Sequence, residues 1–285
     1  MEFFEPTSVQ EAVRLLDAYG ESARPVAGGT FVSILLKQGL AAPSCLVSLG
    51  RVPGLDAITF DPHEGLRLGA LVTHRAVERS PLVRSHLPVV ADAFHLIANV
   101  RIRNVGTVGG NLCEADYASD PPPVLAALGA EVVAVGPGGA RTIPAESFIV
   151  GHYQTALAPN ELLVEVRIPP PGANCRATYV KHVSRSSEDR PCIGVAAALW
   201  TDAAGRCQSV RVAVGAVADT VQRVPEAEAM ARGEALTPSL ARAIAERYAR
   251  AVEPIADLRG STWYRREMVR VFVRRALERL IDAEG

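Results

Sequence analysis

Two short glycine runs restrict the fold of this chain more than any other feature: Gly28-Gly29-Thr30, and Gly106-Thr107-Val108-Gly109-Gly110-Asn111. Glycine lets backbone approach another group closely and adopts dihedrals closed to other residues, so both runs read as tight turns open to a ligand. The first follows a short strand, Arg24–Ala27, and precedes a helix over Phe31–Gln38 that stops at Gly39. A helix at Ser8–Tyr19, capped by Thr7 or Ser8, comes before it, and an apolar strand, Cys45–Leu49, comes after. This is a small β-α-β unit with its glycine turn at the carboxyl end of a strand, the edge where open α/β structures bind ligands. The second run leads to Ser119-Asp120-Pro121, a helix start with a capping residue and proline at the first helical position. A glycine-rich turn before a helix N-terminus is an anion cradle, because free N–H groups and the helix dipole point outward. Each run taken singly is also explained by a plain junction. Neither fits G-x-G-x-x-G or G-x-x-x-x-G-K-[ST], which removes the main support for a nicotinamide Rossmann fold or a P-loop.

Length and charge narrow the field further. A chain of 285 residues holds more than one domain, and a hydrophobic fraction of 48% is ample for packed cores. A formal net charge of -1 gives no general attraction to nucleic acid or anionic membrane. No apolar run approaches the ~20 residues that cross a bilayer, and the acidic start Met1–Pro6 lacks an export pattern, so a cytoplasmic protein is expected. The five cysteines, Cys45, Cys113, Cys175, Cys192 and Cys207, never fall in C-x-x-C spacing. That argues against a disulfide framework, zinc or an iron–sulfur cluster within the chain. The six histidines are equally scattered, and no metal site is expected.

From Leu55 the pattern becomes mixed. Ala57–Phe60 and Leu66–Ala70 read as paired strands, Thr73–Glu78 and Leu82–Asn99 as mostly helical, and Pro121–Leu128 as a helix stopped by Gly129. Strands follow at Glu131–Val135, Arg141–Ile143 and Glu161–Ile168. Pro169-Pro170-Pro171-Gly172 is the clearest linker. Beyond it lie strands Cys175–Val183, Gly194–Thr201 and Ser209–Val217, with Gly205 at a turn, then helices Pro225–Arg232, Pro238–Ala251 and Trp263–Glu284. The expected fold is α+β, in three parts: a first subdomain over 1–54, a second over 55–170, and an antiparallel sheet with helices over 173–285.

With both glycine runs placed, the sequence closely resembles the FAD-binding (medium) subunits of the molybdenum hydroxylases, the family of carbon monoxide dehydrogenase and xanthine dehydrogenase. The resemblance runs end to end through Pro25–Thr30, Ile102–Asn111, Ala118–Pro122, Val210–Val217 and Trp263–Met268. It implies a two-subdomain FAD-binding region of the molybdopterin dehydrogenase type, with the diphosphate of FAD held between the two glycine loops. The first clamp is then Pro25, Val26, Ala27, Gly28, Gly29, Thr30, Phe31 and Val32, contacting FAD through backbone N–H groups. The second is Thr107, Gly109, Gly110 and Asn111. Two sets of amide donors can neutralise a diphosphate without a metal.

The resemblance also places Asp120 in the FAD site, with helix capping as the other reading. It sets Ile97 against the flavin ring, where an ordinary core position is the alternative. Leu163, near the end of the Glu161–Ile168 strand, is a similar candidate. Lys181 matches a family lysine near the flavin; an exposed strand lysine is its other reading. Arg185, Glu188, Asp189 and Arg190 form a charged loop, facing either solvent or a partner. Tyr117 departs from the pattern, standing where relatives usually have proline, and Phe31 and Val32 make the first loop unusually apolar.

By this resemblance the chain takes electrons from [2Fe–2S] clusters on a small partner subunit and passes them from FAD to an external acceptor. Substrate oxidation then belongs to a large subunit carrying the molybdenum cofactor. A self-sufficient FAD-dependent oxidase or dehydrogenase on the same scaffold is the alternative, and a binding protein with a decayed cofactor site is a third.

Overall fold

The structure, a computed structural model, describes residues 1–282. It opens with β1 (Glu2–Phe4), α1 (Val9–Tyr19), β2 (Ala23–Val26), α2 (Val32–Lys37) and β3 (Cys45–Ser48). The three strands form a parallel sheet in the order β1-β3-β2. β1 has no counterpart in the sequence expectations, because three residues are too few to show a period. α1 starts on a reciprocal cap: the Ser8 hydroxyl accepts from Glu11 N–H at 3.2 Å, and the Glu11 carboxylate accepts from Thr7 N–H at 2.8 Å. Its Ala12, Val13 and Leu16 close over Cys45 and Val47 of β3 in a first core.

The middle of the chain runs through β4 (Ile58–Asp61), β5 (Gly65–Gly69), α3 (His74–Arg79), α4 (Pro81–His86), α5 (Pro88–His95), α6 (Val100–Val105), α7 (Val108–Glu114) and α8 (Pro121–Ala127). It continues with β6 (Glu131–Gly136), β7 (Gly139–Pro144), α9 (Ala145–Phe148), β8 (Ile149–Gly151), β9 (Gln154–Thr155) and β10 (Leu162–Ile168). An antiparallel sheet, β4-β5-β10-β6-β7, packs Leu68, Val132 and Val166 against Val90, Phe94 and Leu125 of the helices in a second core. The helical stretch expected over Leu82–Asn99 divides at Pro88, which lacks the N–H needed to continue α4 and opens α5 instead. A bulge between Leu163 and Glu165 interrupts the alternation of β10. The neighbours Leu162 and Leu163, ahead of the bulge, point to opposite faces and are both buried, because the first core covers one face and the second core the other. Leu163 accordingly lies near the beginning of β10.

After the proline linker come β11 (Cys175–His182), β12 (Ile193–Thr201) and β13 (Cys207–Gly215), an antiparallel sheet whose last turn uses Gly205 at φ +75°. The chain then forms α10 (Pro225–Glu228), α11 (Pro238–Ala251) and α12 (Thr262–Asp282). The helix expected over Pro225–Arg232 is shorter, giving way to a single 3₁₀ turn at Ala229–Ala231; the part of the last helix expected at Glu284 lies outside the described residues. One face of the β11–β13 sheet buries Val195, Ala197 and Val212 against Val269, Val273 and Leu277 of α12. The other face, with Tyr179, Ala196, Ala198 and Ala213, joins the second core over α8. Gly215 lies against Pro123 of α8, a Cβ there reaching 3.0 Å from the Pro123 ring. The C-terminal sheet is thus seated on the helix that Asp120 begins. Among the described residues no helix is long and apolar enough to cross a membrane.

Candidate cofactor site

The two glycine runs meet. A Cβ on Gly28 would lie 1.7 Å from the carbonyl oxygen of Val105 and 3.2 Å from the nitrogen of Gly106, so only glycine lets β2 reach the end of α6. Gly29 follows at φ +70°, the left-handed region that glycine occupies without cost. The next N–H groups with partners are Ser33, donating to Gly29 O at 3.0 Å, and Ile34 and Leu35, donating to Phe31 O at 3.0 and 3.1 Å. Among the described residues the N–H groups of Gly28 through Val32 donate to no protein acceptor, leaving a row of amides for an anion. Pro25 to Val32 are all half-buried, as a loop half covered by its own protein would be.

The second run is built differently from the sequence expectation. It is not a turn with free amides but the first turn of α7. Thr107 is the N-cap, its hydroxyl accepting from Gly110 N–H at 3.1 Å, while Asn111 N–H donates to Thr107 O at 2.9 Å. Val108 and Gly109 donate to Val72 O and Ala70 O, both at 2.9 Å. What this run provides is room. Gly109 packs where a Cβ would come within 2.7 Å of the Ala70 side chain, whereas a Cβ on Gly110 would meet only the Thr107 hydroxyl, at 2.8 Å, and Ala27, at 4.0 Å. Gly110 therefore faces Ala27 of the first loop. Asn111 accepts at Oδ1 from the Ser119 hydroxyl at 2.9 Å, which fixes the amide and leaves its NH₂ as a donor.

Asp120 occupies the N-cap position of α8 but caps nothing. Its carboxylate, 5% exposed, accepts from the Tyr179 hydroxyl at 2.7 Å and from Lys181 Nζ at 3.0 Å. Lys181 is not the exposed strand residue of the alternative reading: its side chain is 5% exposed and donates also to Leu96 O at 2.7 Å. Burial pushes the Asp120 carboxyl up, and Lys181 and Tyr179 pull it back. Burial beside that carboxylate raises the Tyr179 phenol well above its ordinary value, so it remains a donor. An ammonium has three N–H bonds, so Lys181 keeps one for a ligand.

Ile97, 7% exposed, sits in the turn between α5 and α6. Arg103 holds that turn, donating from Nη1 to Ile97 O and Ala98 O at 2.8 Å each, with Ala98 at φ +41°. Its Nε donates to Glu78 at 3.0 Å, and Glu78 also receives Arg75 at 2.6 Å and contacts His95 Nδ1 at 2.9 Å. Leu163, 3% exposed, lies on β10 beneath α7. Arg103, Glu78 and Tyr179 were given no role by the sequence. No local pattern in Val100–Val105, where Arg101, Arg103 and Asn104 alternate with apolar residues, singles Arg103 out. The charged loop is partly tied down: Arg190 pairs with Glu114 at 2.5 Å and Asp116 at 3.2 Å, and Glu188 accepts from Asn99 at 3.4 Å. A separate groove of about 350 Å³, lined by residues including Val9, Leu55, Arg67 and Val164, contains none of the glycine-loop residues.

Free amides on one loop, a side-chain-free position opposite, and a buried lysine with a spare N–H suit a diphosphate joined to a flat ring. The fold and site are those of a nucleotide-cofactor-binding protein. Comparison narrows the class. Residues 1–171 match the FAD binding domain in molybdopterin dehydrogenase, and residues 178–280 the CO dehydrogenase flavoprotein C-terminal domain. The chain is 37% identical over 275 residues to the nicotine 6-hydroxylase medium subunit of Paenarthrobacter nicotinovorans, covering 96% of this chain and 95% of that one. It is 36% identical over 280 residues to the carbon monoxide dehydrogenase medium chain of Afipia carboxidovorans, covering 98% and 96%. A solved carbon monoxide dehydrogenase from Hydrogenophaga pseudoflava superposes with a TM-score of 0.93 at 35% identity, over 98% of this chain and 96% of that one. The chain belongs to the family of FAD-binding medium subunits of the molybdenum hydroxylases.

Proposed function

We propose that this chain binds FAD and serves as the electron-transfer subunit of a molybdenum-containing hydroxylase or dehydrogenase. It takes electrons from [2Fe–2S] clusters on a small subunit and delivers them to an external acceptor, while a large subunit with the molybdenum cofactor oxidises the substrate. The observation that carries the reading is the row of unpaired amides from Gly28 to Val32 set against Gly110. Full-length medium chains and medium subunits among the relatives support the division over several polypeptides. Five free cysteines, none of them in a disulfide, support a cytoplasmic setting.

Bound FAD supplies the redox chemistry, and the chain's residues hold and tune it. Gly28 to Val32 would donate their N–H groups to the diphosphate, and the Thr107 hydroxyl and Asn111 amide would offer it further donors. Pro25, Val26 and Ala27 set the approach of this loop. Ile97 and Leu163 would present apolar surface to the ring. Asp120 and Leu96 O hold the Lys181 amine in place, so that its remaining N–H would stabilise negative charge on the ring. No general base is required.

The test is reconstitution. The purified full-length chain, incubated with FAD and desalted, is expected to retain one flavin per chain with a bound-flavin visible spectrum. A colourless protein after desalting overturns the proposal.

A further inference from the structure

Tyr117, on the segment between α7 and α8, is tied to the C-terminal part of the chain at both ends of the residue. Its carbonyl accepts from Ala216 N–H at 3.0 Å. Its hydroxyl donates to Asp257 through a short hydrogen bond and accepts from Arg259 Nη1 at 3.2 Å. Asp257 in turn receives Arg259 N–H at 2.7 Å and Arg265 Nη2 at 2.5 Å. Arg265 is fully buried, lies 6.0 Å above the Tyr117 ring, and donates to Ala216 O as well. Ala216 itself is held at φ +65°, an uncommon conformation for a residue with a Cβ, between these two bonds.

The ring carries the connection onward. Tyr117 meets His152 edge-on at 5.0 Å, His152 stacks on Tyr153 at 4.0 Å, and Tyr153 stacks on Phe31 at 5.6 Å. Phe31 is part of the first glycine loop. Three residues after Tyr117 comes Asp120, and Ser119 holds Asn111. One phenol thus sits where a part-buried ion pair of the C-terminal part meets both halves of the candidate FAD cradle.

We infer that Tyr117 is a positioning residue: its hydroxyl bond to Asp257 fixes the Ala115–Asp120 segment and, through His152 and Tyr153, the first glycine loop in the geometry that holds FAD. The inference rests on the proposed FAD function. Cofactor affinity is then set in part by Asp257 and Arg265, which belong to the C-terminal part of the chain.

The experiment uses full-length wild type, Tyr117→Phe, Asp257→Asn and the double variant. FAD dissociation constants are read from flavin fluorescence, and melting temperatures are taken on the flavin-free chains. Wild type that fails to take up FAD defeats the proposed function itself, separately from this inference. Given a binding wild type, each single variant is expected to bind FAD about tenfold more weakly, the scale of one charge-assisted hydrogen bond. The double variant is expected to be no worse than the weaker single one, because the bond the two residues share is already lost in each single variant. Tyr117→Phe is also expected to leave more fluorescence in the bound flavin, a readout that a loss of stability alone does not move. If one variant fails to fold, the other single variant decides alone. Losses below about threefold, or losses that add in the double variant, overturn the inference.

Discussion

The carbonyl oxygen of Val105 fills the space in which Gly28 would carry a side chain, 1.7 Å from the Cβ position. The first parallel unit and the α6–α7 segment touch there with nothing between them but backbone. Gly28→Ala must push them apart. It is expected to cost about 3 kcal/mol or more, at the upper end of overpacking, and to abolish FAD retention. Chemical denaturation and desalting after reconstitution measure the two effects.

Arg103 joins the Ile97–Ala98 turn to Glu78 by hydrogen bonds at 2.8, 2.8 and 3.0 Å. Lysine keeps the charge but cannot present that fork. Arg103→Lys is expected to lower stability by about 2 kcal/mol and to weaken FAD binding through a loosened Ile97 turn. Equilibrium unfolding and a fluorescence titration read both.

Lys181 and Asp120 are buried together, with side chains 5% and 6% exposed. Lys181→Met leaves the carboxylate with Tyr179 alone. Breaking a buried pair at one end costs about 3–5 kcal/mol, less where the remaining group takes up a proton. The stability lost relative to wild type, measured in urea, is expected to be larger at pH 7 than at pH 5, because the stranded carboxyl is neutral more often at the lower pH.

Acid sensitivity follows from two buried groups. His74, 3% exposed and packed under Gly106, has its imidazole pushed down to about 4 from 6.5 by burial and by nearby Arg103. The unfolded chain gains this proton first, so stability from His74 is complete above pH 6.5 and lost as pH falls toward 4. Burial acts to raise the Glu78 carboxyl, but hydrogen bonds from His95, Arg75 and Arg103 hold it down to about 2, and its contribution is lost between pH 4.5 and 2. Each leg amounts to about 3 kcal/mol at most. His74→Leu is expected to flatten the upper leg only, in unfolding free energies measured from pH 7 to 4.

Much of this was legible in the chain itself, and the failures have physical causes. The β-α-β start, the proline linker and the three C-terminal strands stand out because their periods and breakers agree. Gly29 needs its positive φ, and Gly28 needs its missing side chain, as a strand-to-helix turn suggests. Gly109-Gly110 reads as a turn because glycine pairs disfavour helix, and here a local cap from Thr107 together with the long-range bond of Gly109 N–H to Ala70 O overrides that. Asp120 looked like a cap because it precedes Pro121, while its true partners, Tyr179 and Lys181, lie on a strand far along the chain. Tyr117 announced itself only as a departure; its partners at Asp257 and Arg259 form no local pattern.

The counter-ion of Asp120 comes from across the proline linker. A medium subunit of this kind is therefore not a modular pair of halves that can be exchanged freely among relatives. A hybrid that joins the first 171 residues to a foreign C-terminal half must import a lysine and a tyrosine at matching strand positions, or it inherits an orphan carboxylate at the start of α8.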